Sequence, residues 1–225
     1  MKNYKIAHGR ADFSITKASG FQSVHIIYDD FVYFLSRTDV LGKDSSTLWN
    51  ESLHFLESVM ENRKIVSKIV NSISPIENGN YTPKNLFDTL NALDPEIVAI
   101  CELPAVGDGI PCETTCMNFN LDSDGHVSFY IDKDVGLKSV RILYDDGYVF
   151  SINREQIIGK DIPQIHKEIN SAVEKTSENR KTLANLLHNV FEENPESDAK
   201  ELLDLFLQSD PEVCTVCGIS SKDYE

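Results

Sequence analysis

The chain repeats itself, and that constrains its fold more than any motif does. Residues 23–30 (Ser-Val-His-Ile-Ile-Tyr-Asp-Asp) align with residues 139–146 (Ser-Val-Arg-Ile-Leu-Tyr-Asp-Asp) at an offset of 116. Gly147 then inserts one residue, and at an offset of 117 Arg37 meets Arg154, Gly42-Lys43-Asp44 meets Gly159-Lys160-Asp161, and Glu61-Asn62-Arg63-Lys64 meets Glu178-Asn179-Arg180-Lys181. Near the end the offset returns to 116, where Asp94-Pro95-Glu96 meets Asp210-Pro211-Glu212 and Cys101 meets Cys217. A 225-residue chain with this order of matches reads as two copies of one supersecondary unit. The copies are assigned to residues 1–103 and 114–225, joined by a linker at 104–113 that Pro104, Gly107, Gly109 and Pro111 punctuate.

Each copy has alternating apolar segments first and helical periodicity afterwards, an α+β order. In the second copy, segments at 117–120 and 127–131 flank Asp122-Ser123-Asp124-Gly125, a hairpin signal, and a further hairpin spans 139–144 and 148–152. Gly9 falls on Gly125, and 23–28 with 31–35 is the counterpart of the later hairpin. Asp44 and Asp161 are natural caps for the helices that follow. The Glu-Asn-Arg-Lys tetrads fall on a solvent face of the long helical segment or at a break within it. Shorter helices are expected at 83–93 and 198–208, stopped by Asp94-Pro95 and Asp210-Pro211. Residues 97–101 and 213–217 read as short final strands. The expectation is thus a tandem α+β duplication, each copy holding antiparallel hairpins, two or three helices and a closing strand, in a pseudo-twofold arrangement.

The two copies also compare chemistry within one sequence. None of the six histidines recurs at the matched position, which excludes a duplicated histidine site. Phosphate-loop, dinucleotide, nucleophile-elbow and His-Glu-x-x-His patterns are absent, so no catalytic residue is assigned and no cofactor is implied. Asn120 to Gly125 imitates the start of a calcium loop, but Ile131 occupies the position that needs a bidentate glutamate. The recurring polar groups are Tyr28/Tyr144, the pairs Asp29-Asp30 and Asp145-Asp146, Arg37/Arg154 and Lys43/Lys160. Turns, caps and salt bridges beside the acidic turns account for them structurally. As an alternative, Arg37, Arg154, Lys43, Lys160, Asp29 and Asp30 would bind a small molecule or nucleotide between the repeats, and the Asp-Asp turns would serve a metal-assisted enzyme. Cys112, Cys116, Cys214 and Cys217 offer a further alternative, a four-thiolate zinc site, against the simpler reading of buried free thiols.

Charge supplies the leading functional expectation. Twenty-one basic residues against 36 acidic ones give a net charge of −15. Such a chain repels nucleic acid and anionic membranes. No apolar run reaches the length of a membrane span, and the sparse, odd set of five cysteines fits a reducing compartment, so a soluble cytoplasmic protein is expected. Residues 1–110 carry −4 and residues 111–225 carry −11. In the second copy Asp122, Asp124, Asp132, Asp134, Asp145 and Asp146 fall on the hairpins. They are the expected contacts to a basic surface on a protein partner, for an inhibitor or nucleic-acid-mimicking decoy.

Overall fold

The computed structural model describes residues 1–28, 31–104, 111, 116–122 and 125–224, with only the backbone at Asp223. Strands β1 (Lys2–Ile6), β2 (Gly9–Thr16), β3 (Gly20–Tyr28) and β4 (Phe31–Ser36) form an antiparallel meander in sequence order. Helices α1 (Arg37–Leu41) and α2 (Ser45–Asn71), a two-residue strand β5 (Ile73–Ser74), α3 (Pro83–Leu93) and α4 (Pro95–Ile100) complete the first copy. The second copy repeats the plan with β6 (Cys116–Leu121), β7 (Gly125–Asp132), β8 (Gly136–Tyr144), β9 (Val149–Asn153), α5 (Glu155–Ile158), α6 (Ile162–Glu193), α7 (Glu196–Ser209) and α8 (Pro211–Cys217). Its sheet has the order β5-β6-β7-β8-β9, also antiparallel. The likeness extends to an irregularity, because the β2–β3 register shifts at Ser14/Ile15 and the β7–β8 register shifts at the matched Tyr130/Ile131.

The packed units divide the chain differently from the repeats. One unit combines Met1–Trp49 with Pro163–Glu225, and the other is Asn50–Ile162. In the first, Ala11, Phe13, Phe21, Val24, Ile26 and Leu35 of the β1–β4 sheet bury against Leu183, Leu187 and Val190 of α6, Leu202 and Phe206 of α7, and Val213 of α8. In the second, Met117, Phe119, Val127, Phe129, Val140 and Ile142 bury against Val66, Ile69 and Val70 of α2, Leu86 and Leu90 of α3, and Ile97 of α4. Each sheet is therefore covered by helices from the other copy. Period-two strands supply one apolar face and period-3.6 helices one stripe, and either set of helices satisfies the pattern.

Two expectations from sequence change here. Residues 97–101 and 213–217 lie at helices α4 and α8, not in closing strands. Asp94 and Asp210 accept the amides of Ile97 and Val213, and a proline follows each aspartate in the first turn, so Asp-Pro ends one helix and starts the next. A five-residue apolar run does not distinguish a short helix from a strand. Of the two placements expected for the Glu-Asn-Arg-Lys tetrads, the break is not found, since both long helices run through them, and the solvent face holds only in part, since Asn62 and Asn179 are buried.

The outer edge of β1 is finished by a side chain. Asn194 accepts the Lys5 amide at 3.0 Å and donates to the Lys5 carbonyl at 2.7 Å, in the manner of a neighbouring strand. In the other unit the backbone of β5 takes the corresponding place beside β6.

Candidate functional site

The recurring arginines close each packed unit. Arg37 donates from Nε and Nη2 to the two carboxylate oxygens of Asp210, at 2.9 and 3.0 Å, and from Nη2 to Glu212 at 2.9 Å. Asp210 also accepts the Phe21 amide at 3.1 Å. Arg154 grips Asp94 through Nη1 and Nη2, reaches Glu96 at 3.3 Å, and donates to the Leu137 carbonyl; the Leu137 amide donates to Asp94 at 2.8 Å. The partners of the arginines are thus the Asp-Pro-Glu segments, not the acidic turns expected from sequence. Gly20 and Gly136 precede the bonded amides with φ of 63° and 84°, and a Cβ at either would run into the Asp210 or Asp94 carboxylate.

Electrostatics at the first clamp follow from this geometry. Burial alone would raise the Asp210 carboxyl, but the hydrogen bonds and charge of Arg37, with the Val213 and Phe21 amides, outweigh it and hold the group below its ordinary value. Hydrogen bonding to Asp210 raises Arg37, and hydrogen bonding to Asp94 raises Arg154. These guanidiniums are committed to carboxylates inside their own units.

The Glu-Asn-Arg-Lys tetrads have an equally specific structural task. Asn62 donates to the Gln156 carbonyl at 3.0 Å, and Arg63 donates to those of Ile157 and Ile158 at 2.8 and 2.7 Å. In the other unit Asn179 donates to Asp39, and Arg180 to Val40 and Leu41, at 3.1, 2.9 and 2.7 Å. The carbonyls at the end of a short helix have no partners within it, and a cationic fork satisfies them while complementing the helix dipole. Sequence periodicity missed this role because the carbonyls belong to the other copy. The signal available was the exact repetition of Asn-Arg.

The five described acidic residues among those expected to meet a partner fall at two ends of one sheet. Gly125 pairs with both Leu121 and Tyr144, so the turns after β6 and β8 share an end, bringing Asp122 near Asp145 and Asp146. Asp132 and Asp134 lie at the far end of β7, about 25 Å away at strand rise. Asp132 is occupied there: Lys138 pairs with it at 2.8 Å, and the Asp134 and Val135 amides bond it, which lowers its carboxyl. Asp124, Asp29 and Asp30 lie outside the described residues. Asp145 and Asp146 are exposed between Tyr144 and Tyr148, themselves 37% and 61% exposed with ring centroids 6.0 Å apart.

Among the remaining candidates, Lys43 lines a cleft of about 550 Å³ with Arg180 and the hydroxyl residues Ser45, Thr176 and Ser177, while Asp44 caps α2 by accepting the Thr47 amide at 2.6 Å. Lys160 follows α5 and Gly159. Cys214 and Cys217 sit on α8, where burial pushes their thiols up to about 11 and 12; Cys116 begins β6, and Cys112 lies outside the described residues. Among the described residues no group of three or more His, Cys, Asp or Glu side chains is placed to hold a metal ion, and no helix is long and apolar enough to cross a membrane. Comparison of the chain with protein-family models, curated proteins and solved structures finds no match.

Proposed function

We propose that the chain is a non-catalytic acidic binding protein of the cytoplasm that engages a basic surface of a protein partner, as an inhibitor or nucleic-acid-mimicking decoy. The observation that carries this reading is the end of the β6–β9 sheet where Asp122, Asp145 and Asp146 surround exposed Tyr144 and Tyr148. Tyrosine is enriched in protein interfaces because it contributes apolar area and a polar tip at small entropic cost, and the carboxylates add steering toward cations. Leu143 of β8 and its partner Val149 of β9 extend the apolar part, and β9 is an edge strand with no further strand beside it among the described residues.

The packed units refine the charge argument. Regrouped by packing, the net charges are −6 for Met1–Trp49 with Pro163–Glu225 and −9 for Asn50–Ile162. That is a smaller contrast than between the repeats, so the local hairpin end matters more than the whole copy. The test is capture of a partner from host lysate by the wild-type chain and by an Asp122→Asn/Asp145→Asn/Asp146→Asn variant, at low and high salt. Capture by wild type alone, lost at high salt, supports the proposal; capture that is equal for both chains or insensitive to salt overturns it.

A further inference from the structure

In a chain this acidic, one cleft of the Asn50–Ile162 unit has the opposite charge. Arg63, Lys64, Ser67 and Lys68 stand on one face of α2, at the three- and four-residue spacings that bring helical side chains together. With Met60, Ile100, Cys101 and Glu102 they line a cleft of about 480 Å³, within the range of small-molecule sites. Among the described lining residues, three cations face a single acid. Arg63 spends Nε and Nη2 on the α5 carbonyls, Lys64 lies 3.7 Å from Glu61, and Lys68 has no carboxylate partner among the described residues.

The duplication provides an internal comparison. The matched positions in the other unit are Arg180, Lys181, Ala184 and Asn185, so the arginine that clamps the short helix is kept, while Ser67 and Lys68 are replaced by groups without charge. The structural role thus accounts for Arg63 and leaves Ser67 unexplained, while Lys68, in the last turn of α2, also complements the helix dipole. Cys101 is a passive part of the wall, since burial pushes its thiol up to about 11.

We propose that this cleft binds a small phosphate-bearing anion, with Lys64, Lys68 and the Ser67 hydroxyl on the phosphate and Met60 and Ile100 against its less polar part. Ammonium groups hold phosphate as point charges, and a local cluster prevails over the distant acids of the chain because those are screened beyond about 8 Å at physiological salt. The site is independent of the acidic hairpin end.

Pyrophosphate serves as the probe, titrated at constant ionic strength into the full chain while backbone amide shifts are followed by NMR. Saturable shifts confined to residues 60–68 and 100–102 are expected. The Lys64→Gln/Lys68→Gln variant, altered only at exposed side chains, is expected to bind about tenfold or more weakly, while Lys181→Gln binds as wild type. No saturable shifts, shifts spread over lysines elsewhere, or equal binding by the double variant would overturn the proposal. Its thermal unfolding in the absence of probe verifies that the double variant is folded.

Discussion

Arg37, from the first copy, and Asp210, from the second, form a two-pronged ion pair whose carboxylate is 3% exposed. The same carboxylate begins helix α8 and receives the Phe21 amide, so one group joins the start of a helix, a strand and an arginine. Asp94 does the same for Arg154 and Leu137.

Removing one partner of such a pair leaves a buried charge without compensation, and Arg37→Ala is expected to cost about 3–5 kcal/mol. Trp49 is the chain's only tryptophan and lies in this unit, its ring centroid 4.8 Å from that of His166. Urea unfolding followed by its fluorescence should show the loss as a lower midpoint. A change within about 0.5 kcal/mol would assign the pair to the exposed class.

Acid should act through the same carboxylate. Because folding lowers the Asp210 value, its contribution is fully present above the ordinary aspartate value near 3.9 and is lost as pH falls through the lower folded value. Wild-type stability should therefore fall more steeply below about pH 4 than that of Asp210→Asn, in which the linkage is absent. Parallel curves from urea midpoints at successive pH values would contradict this account.

Exchange of helices between copies makes fragments diagnostic. Residues 50–162 include a sheet with its covering helices and should fold as a monomer, whereas residues 1–103 hold a sheet whose covering helices come from 163–225. The latter fragment is expected to be unfolded or to pair with a second copy of itself, reproducing the exchange between chains. Light scattering and circular dichroism of the two fragments separate these outcomes, and a stable monomer of 1–103 would refute the exchanged packing.

Thiol reactivity should follow burial. With Cys101 and Cys214 raised to about 11 and Cys217 to about 12, their thiolate fractions at pH 8 are small, and disulfide reagents should modify them only after unfolding. Cysteine-by-cysteine labelling in the folded protein is the measurement. Rapid modification of Cys214 would show α8 to be open.

The sheets and principal helices were legible because the copies checked one another: Gly125, the Asp-Pro pairs and the apolar alternation recur. The helices α4 and α8 were not, since five apolar residues suit either kind of element, and the cap that decides between them depends on a tertiary partner. The pairing of sheet with helices was also hidden. Similar apolar stripes in the two copies make the choice between own and exchanged helices invisible to periodicity. Asn62, Arg63, Asn179 and Arg180 carry a trace of that choice, but their carbonyl partners emerge only in three dimensions.

The exchanged packing also sets an order of completion during synthesis. The β1–β4 strands are made before residues 50–162, yet their covering helices α6, α7 and α8 are made after them. At roughly 5–20 residues per second the first sheet waits on the order of 10–35 seconds for its own core. Through that interval the apolar face formed by Phe13, Phe21, Val24 and Ile26 has no covering helices, while the unit made in the middle can already close. The sheet that is made before the middle unit is thus finished after it.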